Sequence, residues 1–199
     1  EYSDIEDMFQ LAEEKGEPPF LVILDNIEDP HNLGAIIRTA NQAGAHGVII
    51  PKHRAVGLTA TVARTSAGAI NYTPVAKVTN IASTIEELKE RGLWFVCASM
   101  EGDVMYNLDL KGPIGLVIGS EGFGMTRIVK ESCDFIASIP MNGKVNSLNA
   151  SVAAGIMILT LCCMFKTGKK LPKQTTQNAP ATEVKTSIWG KIKGWFKKK

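Results

Sequence analysis

The sequence predicts an α/β fold with a parallel sheet that carries helices on both faces. Two short, continuously apolar runs, residues 21–24 and 47–50, have the composition of strands that are buried on both faces. Apolar residues between them recur at helical spacing: Leu33, Ile36, Ile37 and Ala40. A strand, a helix and a strand in this order form a β-α-β unit, in which the two strands are parallel.

The same alternation continues along the chain. We predict a helix over residues 59–67 and a strand over residues 72–78. Ser83 and Glu86 have the spacing of a capping box that starts the next helix, and Gly92 follows its end. Further strands are predicted over 93–98, 114–118 and 135–139, with a short helix over 126–131 and a long apolar helix over 148–165.

Composition excludes several classes of protein. With 199 residues and 45% apolar side chains, the chain can form one domain with an appendage and bury a core. The longest apolar stretch, residues 152–165, is shorter than the roughly 20 residues of a membrane-spanning helix, so we interpret it as a buried helix. The acidic N-terminus lacks the apolar core of a secretory signal, which favours a cytoplasmic protein. The four cysteines lack the paired spacing of a zinc site, and no metal is expected.

The formal net charge of +2 is the sum over segments whose charges differ strongly. Residues 1–17 hold seven acidic residues and one lysine, and form an acidic arm. Residues 18–165 are nearly neutral and form the predicted domain. Residues 166–187 have the composition of a flexible linker. Residues 188–199 are a basic amphipathic tail.

The first of three unusual segments follows the first strand. Asn32 stands where we expect the helix to begin, as an N-cap beside free N–H groups that suit an anion. Arg38 lies six residues later, off the apolar face, and can point into a site. The simpler interpretation is a capping Asn and a surface Arg.

The second segment follows the predicted strand 114–118. Gly119, Gly122 and Gly124 surround Glu121, and glycines permit positive φ or a close backbone approach to a ligand. Their spacing differs from the dinucleotide-binding pattern, which disfavours a nicotinamide enzyme. A tight turn with a solvated Glu is the simpler alternative.

The third segment, residues 139–151, joins a strand to the last helix through a loop rich in amide and hydroxyl groups. Ser147 is a natural N-cap for that helix. Asn149 would then lie in the first turn, where Asn is a poor helix former. An amide that recognises a ligand explains it better.

Together these segments resemble the SpoU or TrmH family of RNA ribose 2′-O-methyltransferases, within the SPOUT class. The resemblance covers about residues 18–165 and includes three family motifs in order, at 32–38, 117–124 and 139–151. Residues 51–54 and 64–69 are most similar to the RlmB-like subgroup, which modifies a guanosine of 23S rRNA.

The resemblance carries specific expectations. It implies a C-terminal trefoil knot, S-adenosylmethionine as the cofactor, and a homodimer with each site near the subunit interface. By position, the implied cofactor-binding residues are Gly119, Ile139, Met141 and Leu148. The implied catalytic residues are Asn32, Arg38, Glu121, Ser147 and Asn149.

Methyl transfer to a ribose 2′-oxygen requires proton removal and alignment. Because a guanidinium stays protonated at neutral pH, we expect Arg38 to bind phosphate and polarise the hydroxyl rather than to act as the base. We assign Glu121 to orienting Asn32 or Arg38, and Ser147 and Asn149 to positioning the ribose and the cofactor. His31 is an alternative base, or only a solvated loop residue.

The expected partner is RNA, with a 23S rRNA guanosine as the acceptor or alternatively a tRNA guanosine. A local basic patch is available for phosphates: Arg38, Lys52, His53, Arg54, Arg64 and Lys144. Many relatives carry an N-terminal RNA-binding domain, and residues 1–17 lie where it would end. The tail is an RNA contact, a membrane-surface contact or a dispensable extension. The competing class for the whole chain is a catalytically inactive RNA-binding module.

Overall fold

The computed structural model describes residues 1–145 and 147–167 of the chain. Its strands are β1 (Phe20–Asp25), β2 (Gly47–Pro51), β3 (Val75–Val78), β4 (Trp94–Val104), β5 (Ile114–Gly119) and β6 (Phe135–Ser138). They form one six-stranded sheet in the order β3-β2-β1-β5-β4-β6, and every pairing is parallel. The predicted parallel sheet is confirmed.

The helices cover both faces of this sheet. They are α1 (Ile5–Lys15), α2 (Pro30–Ala43), α3 (Ala60–Thr65), α4 (Ile81–Glu90), α5 (Arg127–Glu131) and α6 (Ala150–Thr167). One core lies between the sheet and α2, α3 and α6, and a second core lies between the sheet and α1, α4 and α5. Successive residues of β1 alternate between the two cores, which explains why its sequence is continuously apolar.

Three helices begin at residues other than those predicted. Asp29, not Asn32, caps α2: its carboxylate accepts from the His31 N–H at 2.9 Å, and Pro30 follows at a position that needs no donor. The capping box at residues 83–86 is wrong, because Asn80 caps α4 three residues before Ser83 and accepts from the Ser83 N–H at 3.2 Å. Helix α6 begins at Ala150, so Ser147 is not its cap.

Other boundaries differ more modestly. Strand β4 continues to Val104 because a register shift between Ala98 and Asp103 lets its second half pair again with β6. Helix α3 ends before its predicted limit, where Ala67 and Gly68 both adopt positive φ. Gly92, as predicted, follows the end of α4 with a φ of +92°.

The acidic segment 1–17 folds onto the domain through α1. Met8 and Ala12 of this helix are buried, and a Cβ at Gly47 would lie 2.3 Å from the Met8 sulfur. Helix α6 reaches Thr167, within the predicted linker; the remaining linker and the tail at 188–199 lie outside the described residues. Among the helices described, none combines the length and apolar character that crossing a membrane requires.

The arrangement of the sheet brings the three unusual segments together. Each follows a strand, because β1 ends at Asp25, β5 at Gly119 and β6 at Ser138. In a parallel sheet all carboxyl ends meet at one edge, where α/β proteins bind ligands. The loops after these three strands form the site described next.

Candidate functional site

A hydrogen-bond network joins one residue from each of the three segments. Glu121 Oε1 accepts from Asn32 Nδ2 at 3.2 Å, from Asn149 Nδ2, and from the backbone N–H of Ala150 at 2.8 Å. Asn149 Nδ2 also donates to Asn32 Oδ1 at 3.0 Å. Three residues that the sequence singled out separately are therefore in direct contact.

Asn149 has two functions in this network. Its Oδ1 accepts from the backbone N–H groups of Ser151 and Val152, at 3.0 and 3.2 Å, and so caps α6. The Ser151 hydroxyl also donates to this oxygen. With Oδ1 occupied in this way, Nδ2 is directed at Glu121. Asn149 therefore lies before α6 and caps it, rather than lying in the first turn as predicted, and this cap leaves Nδ2 available for the predicted positioning role.

The Glu121 carboxylate lies at the N-terminus of α6. Its Oε1 accepts from the first backbone N–H of that helix, where the helix dipole favours negative charge. Glu121 is exposed, yet its Oε1 accepts three hydrogen bonds, so the alternative of a merely solvated Glu is wrong. The bond from Asn32 Nδ2 to Glu121 Oε1 suits the predicted orienting role, which stays a prediction.

The glycine segment closes on itself to present Glu121. Ser120 and Gly124 exchange two backbone hydrogen bonds, of 3.0 and 2.9 Å, and Gly124 has a φ of +64°. A Cβ at Gly119 would lie 2.3 Å from backbone atoms of Gly124 and Met125. The close approach that requires glycine at 119 is therefore to the protein's own backbone.

Asp25 is a site residue that the sequence analysis did not single out. It is buried at the end of β1, and its Oδ2 accepts from the Thr126 backbone N–H at 2.7 Å. This bond fixes the C-terminal end of the glycine segment to the first strand. An acidic residue closing an otherwise apolar strand is the signal that could have found it.

One cavity of about 500 Å³ lies on one side of the network. It is lined by all four predicted cofactor residues, Gly119, Ile139, Met141 and Leu148, and by Glu121 and Ser147 of the predicted catalytic set. Apolar side chains from the sheet and α6, such as Ile118 and Ala153, and the rest of the glycine segment supply much of the remaining wall. This composition suits an organic ligand with an apolar ring and a few polar groups.

At the rim of this cavity, Lys130 forms an ion pair with Glu101. The Lys130 ammonium, by hydrogen bonding and by charge, holds the pKa of the Glu101 carboxyl below its ordinary value. Both residues were outside the predicted site.

A second cavity of about 730 Å³ adjoins the first and is also lined by Glu121. It is lined by the 26–29 segment, Asn32, Arg54 and Thr126. It shares six residues with the first cavity: Ser120, Glu121, Gly122, Phe123, Met125 and Ala150. The site is therefore two adjoining cavities with the Glu121 network at their border.

Two predicted catalytic residues lie outside this network: Ser147, which lines the first cavity, and Arg38. Arg38 is the more distant of the two from the predicted role. It is exposed on α2 and lines neither cavity. His31 is also exposed, with its backbone N–H bound by Asp29. No group of side chains in the described part of the chain could hold a metal ion.

Comparison with known proteins identifies the family. Residues 19–159 match the model of the SpoU rRNA methylase family. The chain belongs to the SpoU rRNA methylase family. The predicted SpoU or TrmH resemblance is confirmed, and the network described above joins residues from all three SpoU motifs.

Two curated SpoU relatives are similar over most of this chain. YacO of Bacillus subtilis, assigned to the TrmH family of tRNA/rRNA methyltransferases, is 60% identical over 160 residues. A TrmH family protein of Staphylococcus saprophyticus is 53% identical over 159 residues. Each alignment covers 79% of this chain and 64% of the relative, so the chain spans just under two thirds of their length.

Solved SpoU structures share the fold. The SpoU methyltransferase AviRb from Streptomyces viridochromogenes has a TM-score of 0.73 and 29% identity, covering 78% of this chain and 63% of AviRb. AviRb in complex with the cofactor AdoMet has a TM-score of 0.71 and 30% identity, covering 77% of this chain and 60% of that one.

Proposed function

We propose that this chain is the catalytic domain of an S-adenosylmethionine-dependent methyltransferase that acts on an RNA ribose 2′-hydroxyl. The observation that carries the proposal is the pair of adjoining cavities with the Glu121 network at their border. Two substrates that react with each other need two sites that meet. The likeness to AviRb, which was solved in complex with AdoMet, supports the choice of cofactor.

The first cavity fits this cofactor. Its wall combines apolar side chains such as Ile118 and Leu148 with the backbone of the glycine segment. Gly119, Ile139, Met141 and Leu148 would hold the cofactor. When bound, S-adenosylmethionine supplies an electrophilic methyl group on a sulfonium.

The second cavity then takes the ribose that accepts the methyl group. Asn32 lines it, and the amide of Asn32 is held by both Glu121 and Asn149. Because this amide is already held in place, it can orient a ribose hydroxyl without a free-energy cost of reorganisation during the reaction. Ser147 faces the first cavity and positions the cofactor there.

We propose a homodimer to explain how Arg38, which lines neither cavity, takes part in the reaction. Val152 and Leu159 are half exposed and seven residues apart on α6, so they lie on one face of that helix. We propose that this face pairs with a second copy. The exposed Arg38 on the neighbouring α2 then contacts RNA phosphate at the composite site, with its guanidinium protonated throughout.

We also infer that the chain forms the C-terminal trefoil knot that the family resemblance implies. The fold likeness to SpoU structures supports this proposal.

An RNA substrate also fits the cytoplasmic location expected from the sequence. For the acceptor, we propose a guanosine of 23S rRNA, with a tRNA guanosine as the second candidate; the TrmH family tRNA/rRNA assignment of the relatives supports both.

The test is a transfer assay with labelled S-adenosylmethionine and separate, unmodified transcripts of 23S rRNA and of tRNAs. We expect label in one RNA class, at one nucleotide, when ribose methylation is mapped along the transcript. Cofactor binding without transfer to any RNA would overturn the proposal and favour the inactive RNA-binding module.

A further inference from the structure

Phe123 is the most exposed large apolar side chain in the part of the chain that the structure describes, at 95%. Single exposed apolar residues are common on protein surfaces, so exposure alone indicates nothing. The location of Phe123 is more informative. It lies in the loop between Ser120 and Gly124 and lines both cavities of the site.

The backbone around Phe123 is fixed at several points. Ser120 and Gly124 close the loop with two hydrogen bonds, and Glu121 is tied to α6 through the Ala150 N–H. Just beyond the loop, the Thr126 N–H is bound by buried Asp25. The ring is therefore held outward on a rigid support, and binding a ligand on it would order little additional chain.

Arg54 lines the second cavity together with Phe123. Its loop is held beside the 26–29 segment, because the Val56 backbone N–H donates to the Ile27 carbonyl at 3.0 Å. Aromatic rings on which bases stack, and cations that follow the phosphates, are the two features that hold single-stranded nucleic acid. Both are present in the wall of one cavity.

We propose that Phe123 is a stacking platform for an unpaired nucleobase of the RNA, and that Arg54 contacts a phosphate of the same strand. This inference rests on the proposed function and deepens it, since it requires the RNA to be single-stranded where it enters the second cavity. Phe123 is then a positioning residue that sets the preference for unpaired RNA.

The variants separate stacking from other effects. Phe123→Leu removes the aromatic ring but keeps an apolar side chain, and Phe123→Tyr keeps the ring. Tyr72→Leu is the matched control, because Tyr72 is 78% exposed and lines neither cavity. Arg54→Gln removes the charge without changing the loop length. Since Phe123 is exposed, we expect unchanged melting temperatures for its variants.

The experiment measures the dissociation constant of the whole chain for a short fluorescein-labelled RNA, single-stranded or annealed to its complement, over a series of KCl concentrations. S-adenosylmethionine binding is measured separately by calorimetry. We expect Phe123→Leu to weaken single-strand binding by about tenfold with an unchanged salt slope, and Phe123→Tyr and Tyr72→Leu to bind as the wild type does. Arg54→Gln should reduce the salt slope by about 0.7.

Two results would overturn the inference. In the first, Phe123→Leu binds single-stranded RNA as tightly as the wild type does. In the second, Phe123→Leu loses affinity for S-adenosylmethionine instead, which would place the ring over the ligand of the first cavity. Because binding is measured without methyl transfer, the two proposals fail separately. RNA binding that depends on Phe123 without any transfer would contradict only the proposed activity. Wild-type chain that neither binds nor methylates RNA would contradict both.

Discussion

Glu121 and Asn149, 28 residues apart in the sequence, are joined by a hydrogen bond from Asn149 Nδ2 to Glu121 Oε1. The bond links the loop after β5 to the cap of α6, and both residues also bond to Asn32 after β1. The three loops at the carboxyl edge of the sheet are thereby held in one arrangement, at the border of the two cavities.

The first prediction concerns Glu121. Glu121→Ala removes the acceptor shared by Asn32, Asn149 and the Ala150 N–H, so the loops lose their common alignment. We expect turnover to fall about 100-fold, because small misplacements of reacting groups have effects of that size. Glu87→Ala on α4, an exposed Glu on the opposite face of the sheet, is the control and should keep full turnover. If the lower melting temperature of Glu121→Ala accounted for its whole loss of activity, Glu121 would instead be a purely structural residue.

The second prediction separates the two functions of Asn149. Asn149→Ser keeps an N-cap oxygen but not the amide that donates to Glu121, whereas Asn149→Ala removes both. We expect the Ala variant to lose about 1 kcal/mol of unfolding free energy and the Ser variant to lose less. Turnover should fall in both. Denaturant titration and methyl-transfer rates measure the two effects, and a fully active Asn149→Ser would show that the amide only caps the helix.

The third prediction concerns the glycine segment. Gly119→Ala places a Cβ 2.3 Å from backbone atoms of Gly124 and Met125. This distance is too short for a non-bonded contact, so the backbone of the loop must shift. We expect a loss of about 1–3 kcal/mol in unfolding free energy. Gly122→Ala is the matched control in the same loop, since a Cβ there meets nothing within 4 Å. Thermal unfolding that does not distinguish the two variants would contradict the close packing described here.

The fourth prediction is a pKa change at the cavity rim. Lys130 lowers the pKa of Glu101, so their pairing favours the folded state above the unfolded carboxyl pKa and is lost as pH falls through the lowered folded value. Lys130→Gln should raise the Glu101 pKa toward its ordinary value. Carbon-detected NMR titration of the Glu101 carboxyl measures this, and an unchanged pKa in the variant would show that the pair does not persist in solution.

The sequence predicted the sheet well because buried parallel strands are continuously apolar, as in β1 and β2. It predicted the site segments because polar residues and glycines directly follow buried strands there, as at Glu121, and because the three segments resemble the SpoU or TrmH motifs. It could not predict which Asx residue caps α2, because Asp29 and Asn32 are both good caps and only Pro30 favours the earlier one. The buried anchor Asp25 and the contact between Glu121 and Asn149 depend on tertiary packing, which no local pattern contains.

If the two cavities bring a methyl donor to a ribose oxygen, the transferred methyl group must be found on that oxygen. The most direct measurement uses S-adenosylmethionine with a deuterated methyl group, and mass spectrometry of the nucleosides released from the RNA after reaction. We expect the deuterated methyl on the ribose of one nucleoside, a 2′-O-methylguanosine, and its loss in Glu121→Ala. Label on a base, or no labelled nucleoside with the cofactor bound and RNA present, would contradict it.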